Sequence, residues 1–112
     1  MEIGSGLSEA AQLFKILGNE SRLRLLCLLE GTPRTVSVLA DAADMSQPLV
    51  SQHLRTLRQA HLVTALRDGR EMVYRISDLH VTHVIADALV HAQEPDAAGR
   101  TEEPTAAREE SA

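Results

Sequence analysis

A mainly α fold that carries a single β-hairpin is what the sequence predicts, and three observations carry the prediction. Apolar residues recur at helical spacing through four stretches between Leu7 and Leu57. From Leu62 the period drops to two, and "LVTALRDGREMVYRI" alternates about Asp68-Gly69, a strong hairpin signal. Helical character then returns from Asp78 to Gln93. The chain of 112 residues has the length of one domain. Phe14 and Tyr74 are its only aromatic residues, so the core must be built from Leu, Val, Ile and Ala.

The first helix is expected over Leu7 to Leu17, with Ser8 as its N-cap and Ala10, Leu13, Phe14 and Leu17 at helical spacing. Gly18 ends it, and Asn19 caps a second helix through "ESRLRLLCLLE", with Leu25, Cys27, Leu28 and Leu29 facing inward. Gly31 and Pro33 stop that helix. Thr35 caps a short helix from Val36 to Ala43, which carries Val36, Leu39 and Ala40 on one face. A tight turn follows at Asp44-Met45. Ser46 caps the next helix, and Pro48 falls in its first turn, where a missing N–H costs nothing. Val50, Leu54 and Leu57 form its buried stripe. Two strands are expected over Val63–Arg67 and Glu71–Ile76, and a last helix from about Asp78 to Gln93. This is the element order of a winged helix-turn-helix with an extra terminal helix. Residues 1–7 are expected to form a flexible N-terminus and residues 8–94 the folded domain. Residues 95–112 lack apolar periodicity and are expected to be a disordered acidic tail.

Several function classes are excluded by the totals. No apolar run approaches the ~18 residues that cross a bilayer, and the N-terminus lacks the plan of a signal peptide. A soluble, cytoplasmic protein is expected. The single cysteine, Cys27, forbids an internal disulfide or a multi-thiolate metal site in one chain, and its leucine neighbours predict burial. The net charge of −5 is unevenly spread. From Ser46 to Ile76 the balance of Arg over Asp and Glu is +3, whereas from Pro95 onward it is −3. The chain has a basic middle and an acidic tail.

The basic middle contains a face suited to double-stranded DNA. Gln47, Ser51, Gln52, Arg55 and Arg58 fall on the side of their helix away from the apolar stripe. Amide and hydroxyl groups near a helix N-terminus can read base edges in the major groove, and arginines suit guanine or phosphate. Arg67 and Arg70 flank the hairpin tip and would lie on the adjacent backbone or minor groove. Such a polar face alone could be a solvated surface; the short preceding helix, the tight turn and the hairpin favour DNA.

The last helix carries a second constellation. With His80 at 0° on a helical wheel, His91 falls at about 20° and Glu94 at about 320°. Asp78 stands at or just before the N-cap, free of the wheel. These four residues are candidate metal ligands. Val81, Val84, Ile85, Ala88 and Leu89 occupy the adjoining face. His80 and His91 lie about 16 Å apart along the helix, too far for one tetrahedral site. Two antiparallel copies across a two-fold axis would bring Asp78 and His80 of one chain to His91 and Glu94 of the other. A homodimer through the first and last helices is the expectation. His83 and Asp87 form a rival pair at about 300° and 340°, ranked as surface or supporting residues.

The stretches "LGNESRLRLLCLL", "MSQPLVSQHLRTLRQAHLV", "RDGREMVYRI" and "DLH" followed by "HAQE" resemble the ArsR/SmtB family of metal-sensing bacterial repressors. The likeness runs from about Ala10 to Glu94. It implies that Asp78-x-His80 and His91-x-x-Glu94 are an interfacial zinc site. Relatives with a Cys-x-Cys in the short helix differ from this chain, which reads Thr35-Val36-Ser37-Val38 there. No histidines stand at the chain ends to complete an octahedral site, so Zn(II) is expected, with Co(II) as a surrogate. The implied function is a repressor whose apo dimer binds operator DNA and whose zinc-bound form binds it less well. Coupling is expected to run from a ligand histidine to the backbone near His61. The alternative is a non-metal or redox-responsive winged-helix regulator acting through Cys27. An enzyme is not expected: His-Glu-x-x-His is absent, and four protein ligands would leave no position for water. Neither a small-molecule substrate nor a membrane partner is expected.

Overall fold

The computed structural model describes residues 3–95. The elements run α1 (Leu7–Leu17), α2 (Glu20–Leu29), β1 (Arg34–Thr35), α3 (Val36–Ala43), α4 (Gln47–Gln59), β2 (Val63–Asp68), β3 (Glu71–Ile76) and α5 (Leu79–Gln93). This is a winged helix-turn-helix. The acidic tail expected beyond Pro95 lies outside the described residues.

Three predicted caps are in place. The Asn19 side chain accepts the Arg22 N–H at 3.0 Å, Thr35 accepts that of Val38 at 3.3 Å and Ser46 that of Leu49 at 3.3 Å. Ser8 is not the cap of α1. The helix already begins at Leu7, after Gly6 at φ 85°, so Ser8 stands inside its first turn. Asp44 ends α3 in the left-handed conformation at φ 57°, which Asp tolerates through local hydrogen bonding of its short side chain.

The chain divides into two compact units, the boundary falling between Thr82 and His83 within α5. The first holds the main core. Leu25 and Leu29 of α2, Leu39 of α3, Val50, Leu54 and Leu57 of α4 and Val63 of β2 are almost fully buried. Burial of such side chains contributes about 1.5–3 kcal/mol each before chain entropy is opposed to it. On α2 the inward face is Leu25, Leu26 and Leu29, whereas Cys27 reaches the surface and Leu28 is half-buried. The reason is angular: Cys27 stands about 200° from Leu25 on the wheel, so the inward stripe passes it by. Phe14 also departs from expectation. It is exposed, as is Leu7, and α1 buries only Leu17. In the second unit Ile85 is buried, while Val84, Leu89 and Val90 are exposed.

The sheet has three strands in the order β1-β3-β2, all antiparallel. β1 pairs Arg34 with Tyr74 and Thr35 with Val73. Two residues carry no periodicity, so this strand is invisible to pattern reading. The last rung of the hairpin is Asp68 opposite Glu71. The two-residue loop is therefore Gly69-Arg70, one position later than the predicted pivot, with Gly69 at φ 68° in its first place. Two arginines tie neighbouring elements together. Arg22 Nε donates to the Ile16 carbonyl at 2.8 Å, and Arg34 Nε to that of Leu28 at 2.6 Å.

Candidate nucleic-acid interface and metal half-sites

The α4 helix owes its orientation to Val50, Leu54 and Leu57, whose burial leaves its other side outward. Gln47, Gln52, Arg55 and Arg58 are exposed on that side, and Ser51 is half-buried. Pro48 and the Ser46 cap fix the first turn, so Gln47 leads the helix. Leu49, 38% exposed in that turn, adds an apolar side chain to the outward surface. Such a side chain suits a thymine methyl group.

Arg67 and Arg70 are exposed at the end of the hairpin. They share it with Asp68 and Glu71, directly opposed across the last rung. The tip is thus charge-balanced, and its like-charge rung costs some stability. Inside the helix-turn-helix, His53 is half-buried. Burial first, then the Arg22 guanidinium, pulls its imidazole below the usual range.

A polar cleft joins these parts. It measures about 360 Å³, and its walls include Thr35 and Ser37 at the start of α3, Gln47 and Ser51 of α4, Arg70 of the loop and Tyr74 of β3. Sequence reading identified Thr35 only as a cap and gave Ser37 and Tyr74 no role. Their meeting depends on β1 and could not be seen in any local pattern.

Two carboxylate–imidazole pairs belong to α5. In the first unit, Asp78 Oδ1 accepts the His80 backbone N–H at 2.9 Å and lies 3.5 Å from His80 Nδ1. That backbone bond makes Asp78 the cap of α5, and the His80 ring is fully exposed. In the second unit, His91 Nδ1 lies 3.8 Å from Glu94 Oε1, and both side chains reach solvent. Among the described residues no three His, Cys, Asp or Glu side chains gather closely enough to hold a metal ion. Each pair sets one imidazole nitrogen beside one carboxylate oxygen. Imidazole nitrogen and carboxylate oxygen are ligand types that fit a divalent ion such as zinc. His83 and Asp87 are also exposed.

His61 follows the C-cap of α4 with φ 63°, a left-handed conformation that few residues other than glycine adopt, histidine more readily than most. The Ser77 hydroxyl donates to its carbonyl at 2.8 Å, and Ser77 N–H donates to the Leu62 carbonyl at 3.0 Å. Cys27 is exposed, yet desolvation and then the Glu30 carboxylate push its thiol up, with Arg24 opposing them. Among the described residues, no helix is long and apolar enough to cross a membrane.

Residues 19–65 match the family described as bacterial regulatory protein, arsR family. The chain is 42% identical over 88 residues to the HTH-type transcriptional repressor SmtB of Mycobacterium tuberculosis, an alignment covering 79% of this chain. It spans 65% of the length of that relative. It is 37% identical to the HTH-type transcriptional regulator NmtR of the same organism, covering 77% of this chain and 72% of NmtR. Among solved structures, it is similar to the homodimeric winged helix-turn-helix DNA-binding domain of a possible ArsR-family transcriptional regulator from Mycobacterium bovis. There the TM-score is 0.73 at 33% identity, covering 84% of this chain and 87% of that one. The two curated relatives are transcriptional regulators rather than enzymes.

Proposed function

This chain belongs to the ArsR family of bacterial regulatory proteins, and on that premise we propose that it is a metal-responsive transcriptional repressor. Its apo dimer binds operator DNA, and Zn(II) lowers that affinity, relieving repression of zinc efflux or homeostasis genes. The observation that carries the DNA half is the outward face of α4, where Gln47, Gln52, Arg55 and Arg58 stand exposed opposite a fully buried stripe. The hairpin arginines, Arg67 and Arg70, add backbone contacts. Affinity of this kind depends on salt and on two linked copies.

Dimerisation is supported by the apolar side chains that α1 and α5 leave exposed: Leu7 and Phe14 on one, Val84, Leu89 and Val90 on the other. The metal half rests on the two carboxylate–imidazole pairs. Asp78 and His80 of one protomer and the partner's His91 and Glu94 form one four-donor site, and the two-fold axis generates a second. A bound divalent ion would supply a cross-link between the two α5 helices. The donors are nitrogen and oxygen without thiolate, which suits Zn(II), with Co(II) as a spectroscopic surrogate. Coupling between metal and DNA is reciprocal, so operator DNA weakens metal binding by the same factor. The segment at His61, just after α4, is the proposed relay.

The test is a titration of metal-free protein with Zn(II) in the presence of a duplex selected from a randomised library. About one ion per chain should bind, and the duplex should be released. If His80→Ala and His91→Ala variants still release DNA on adding Zn(II), the assigned donors are wrong. The exposure of Cys27 gives a redox-responsive regulator some standing as a second reading. Its raised thiol works against it, because the thiolate is the reactive form. Oxidant-sensitive DNA binding that ignores Zn(II) would favour that reading.

A further inference from the structure

We infer that the cleft between α3, α4 and the hairpin loop seats one phosphodiester of bound DNA, with Ser37 and Arg70 as its principal donors. This deepens the DNA-binding reading and rests on it. The cleft is bounded by Gln47 and Ser51 on the recognition side and by Arg70 and Tyr74 on the hairpin side. A duplex engaged by both elements must pass its backbone across the gap between them.

The lining suits an acceptor that carries one negative charge. Thr35 Oγ1 already accepts the Val38 N–H at 3.3 Å, and it lies 3.2 Å from Ser37 Oγ. When Thr35 donates to Ser37, the Ser37 hydroxyl proton is left to point outward. The result is a chain of donors, each polarised by the one behind it, and it ends in the cleft. Arg70 supplies the charge, being exposed on the two-residue loop and also lining the cleft. A phosphodiester offers only acceptors, so hydroxyls and a guanidinium match it.

Glu71 selects between sources of phosphate. It is the carboxylate on the lining, and its register places it with Asp68 on the hairpin face opposite to Met72 and Tyr74. A carboxylate at the rim repels a free phosphate dianion strongly. A singly charged diester, delivered by a duplex already held at α4, pays less for that neighbour. The occupant is therefore the DNA backbone rather than a free anion.

The test uses the full chain and two labelled duplexes, one of random sequence and one selected from a randomised library, read by fluorescence anisotropy at about 50 to 200 mM salt. Ser37→Ala should weaken both duplexes by the same factor, about three- to tenfold. Ser37→Thr, which keeps the hydroxyl, should restore affinity. Arg70→Gln should also lower the slope of log affinity against log salt by about 0.9. A single methylphosphonate moved stepwise along the selected duplex should, at one position, cost the wild type affinity and cost Ser37→Ala almost none. The cleft proposal falls alone if the wild type binds DNA and both variants match it. It falls too if inorganic phosphate binds the protein without DNA and Ser37→Ala abolishes that binding while leaving the duplexes unaffected. If the wild type binds neither duplex, the DNA reading itself falls.

Discussion

The Ser77 hydroxyl donates to the His61 carbonyl at 2.8 Å across sixteen residues of chain. It ties the residue just after the α4 C-cap, Ala60, to the residue that precedes the cap of α5. His61 stands at φ 63°, so this bond and the adjacent Ser77 N–H to Leu62 carbonyl bond hold a left-handed corner in place.

Removing that hydroxyl should loosen the corner. Ser77→Ala is expected to lose about 0.5–1.5 kcal/mol, read by urea unfolding at fixed protein concentration, because stability of an associating chain depends on concentration. Ser77→Thr should keep most of it. His61→Gly should hold or gain stability, by up to about 1 kcal/mol, because glycine adopts positive φ without strain. Equal unfolding curves for Ser77→Ala and the wild type would mean that the bond adds nothing.

Sharing of a metal site between chains has a distinctive signature. His80→Ala and His91→Ala homodimers each lack a donor in both sites and should bind zinc weakly. After mixing and exchange, half of the dimers should be heterodimers. In each heterodimer one site is intact and the other lacks both histidines. Tight binding should return at about half an ion per heterodimeric chain, measured with a competing chromophoric chelator. A site within one chain predicts no recovery at all.

Base-reading and backbone-binding residues should separate on the DNA. Gln52→Ala is expected to cost about 1–3 kcal/mol on the selected duplex and little on random sequence, thereby relaxing specificity. Arg58→Ala should weaken both duplexes and lower the salt slope by about one. If Gln52→Ala lowers both affinities equally, it touches backbone rather than base.

The lowered imidazole of His53 gives stability a pH dependence of definite sign. Burial and then Arg22 disfavour the charged ring in the folded state, so the unfolded chain binds the proton more readily. The contribution is complete above the unfolded value of about 6.5 and is lost as pH falls through it to the lower folded value. The urea midpoint should drop between about pH 7 and pH 5, and His53→Gln should flatten that drop. A midpoint equally pH-sensitive in both proteins would assign the effect to other groups.

What could be read in the sequence was local. Asn19, Thr35 and Ser46 announce their helices because a cap needs one side-chain type at one spacing, and each is found accepting the expected N–H. The stripe Val50, Leu54 and Leu57 was visible for the same reason, and it alone fixes which way Gln52 and Arg55 face. Cys27 is exposed although its neighbours are leucines, because burial follows angle around the helix and not sequence company. The strand Arg34–Thr35 is too short to announce itself, and the cleft it helps to build is legible only in three dimensions. The α5 donors were legible as a spacing. Among the described residues of one chain they form two separate pairs, and the proposed shared site would need a second chain to unite them.

Thr35 belongs to β1 and also caps α3, and its strand partner is Val73 in the middle strand of the sheet. The hairpin and the first helix of the helix-turn-helix are therefore fastened through one residue, and they cannot vary independently. A shift of β3 by a single position would turn Val73 away from Thr35 and disturb the entry to α3. Beyond the rung of Asp68 and Glu71, no strand pairing of this kind is found among the described residues. The fold should tolerate a longer Gly69-Arg70 loop, provided that an arginine is kept beside the cleft, and an engineer wishing to lengthen the wing should begin there.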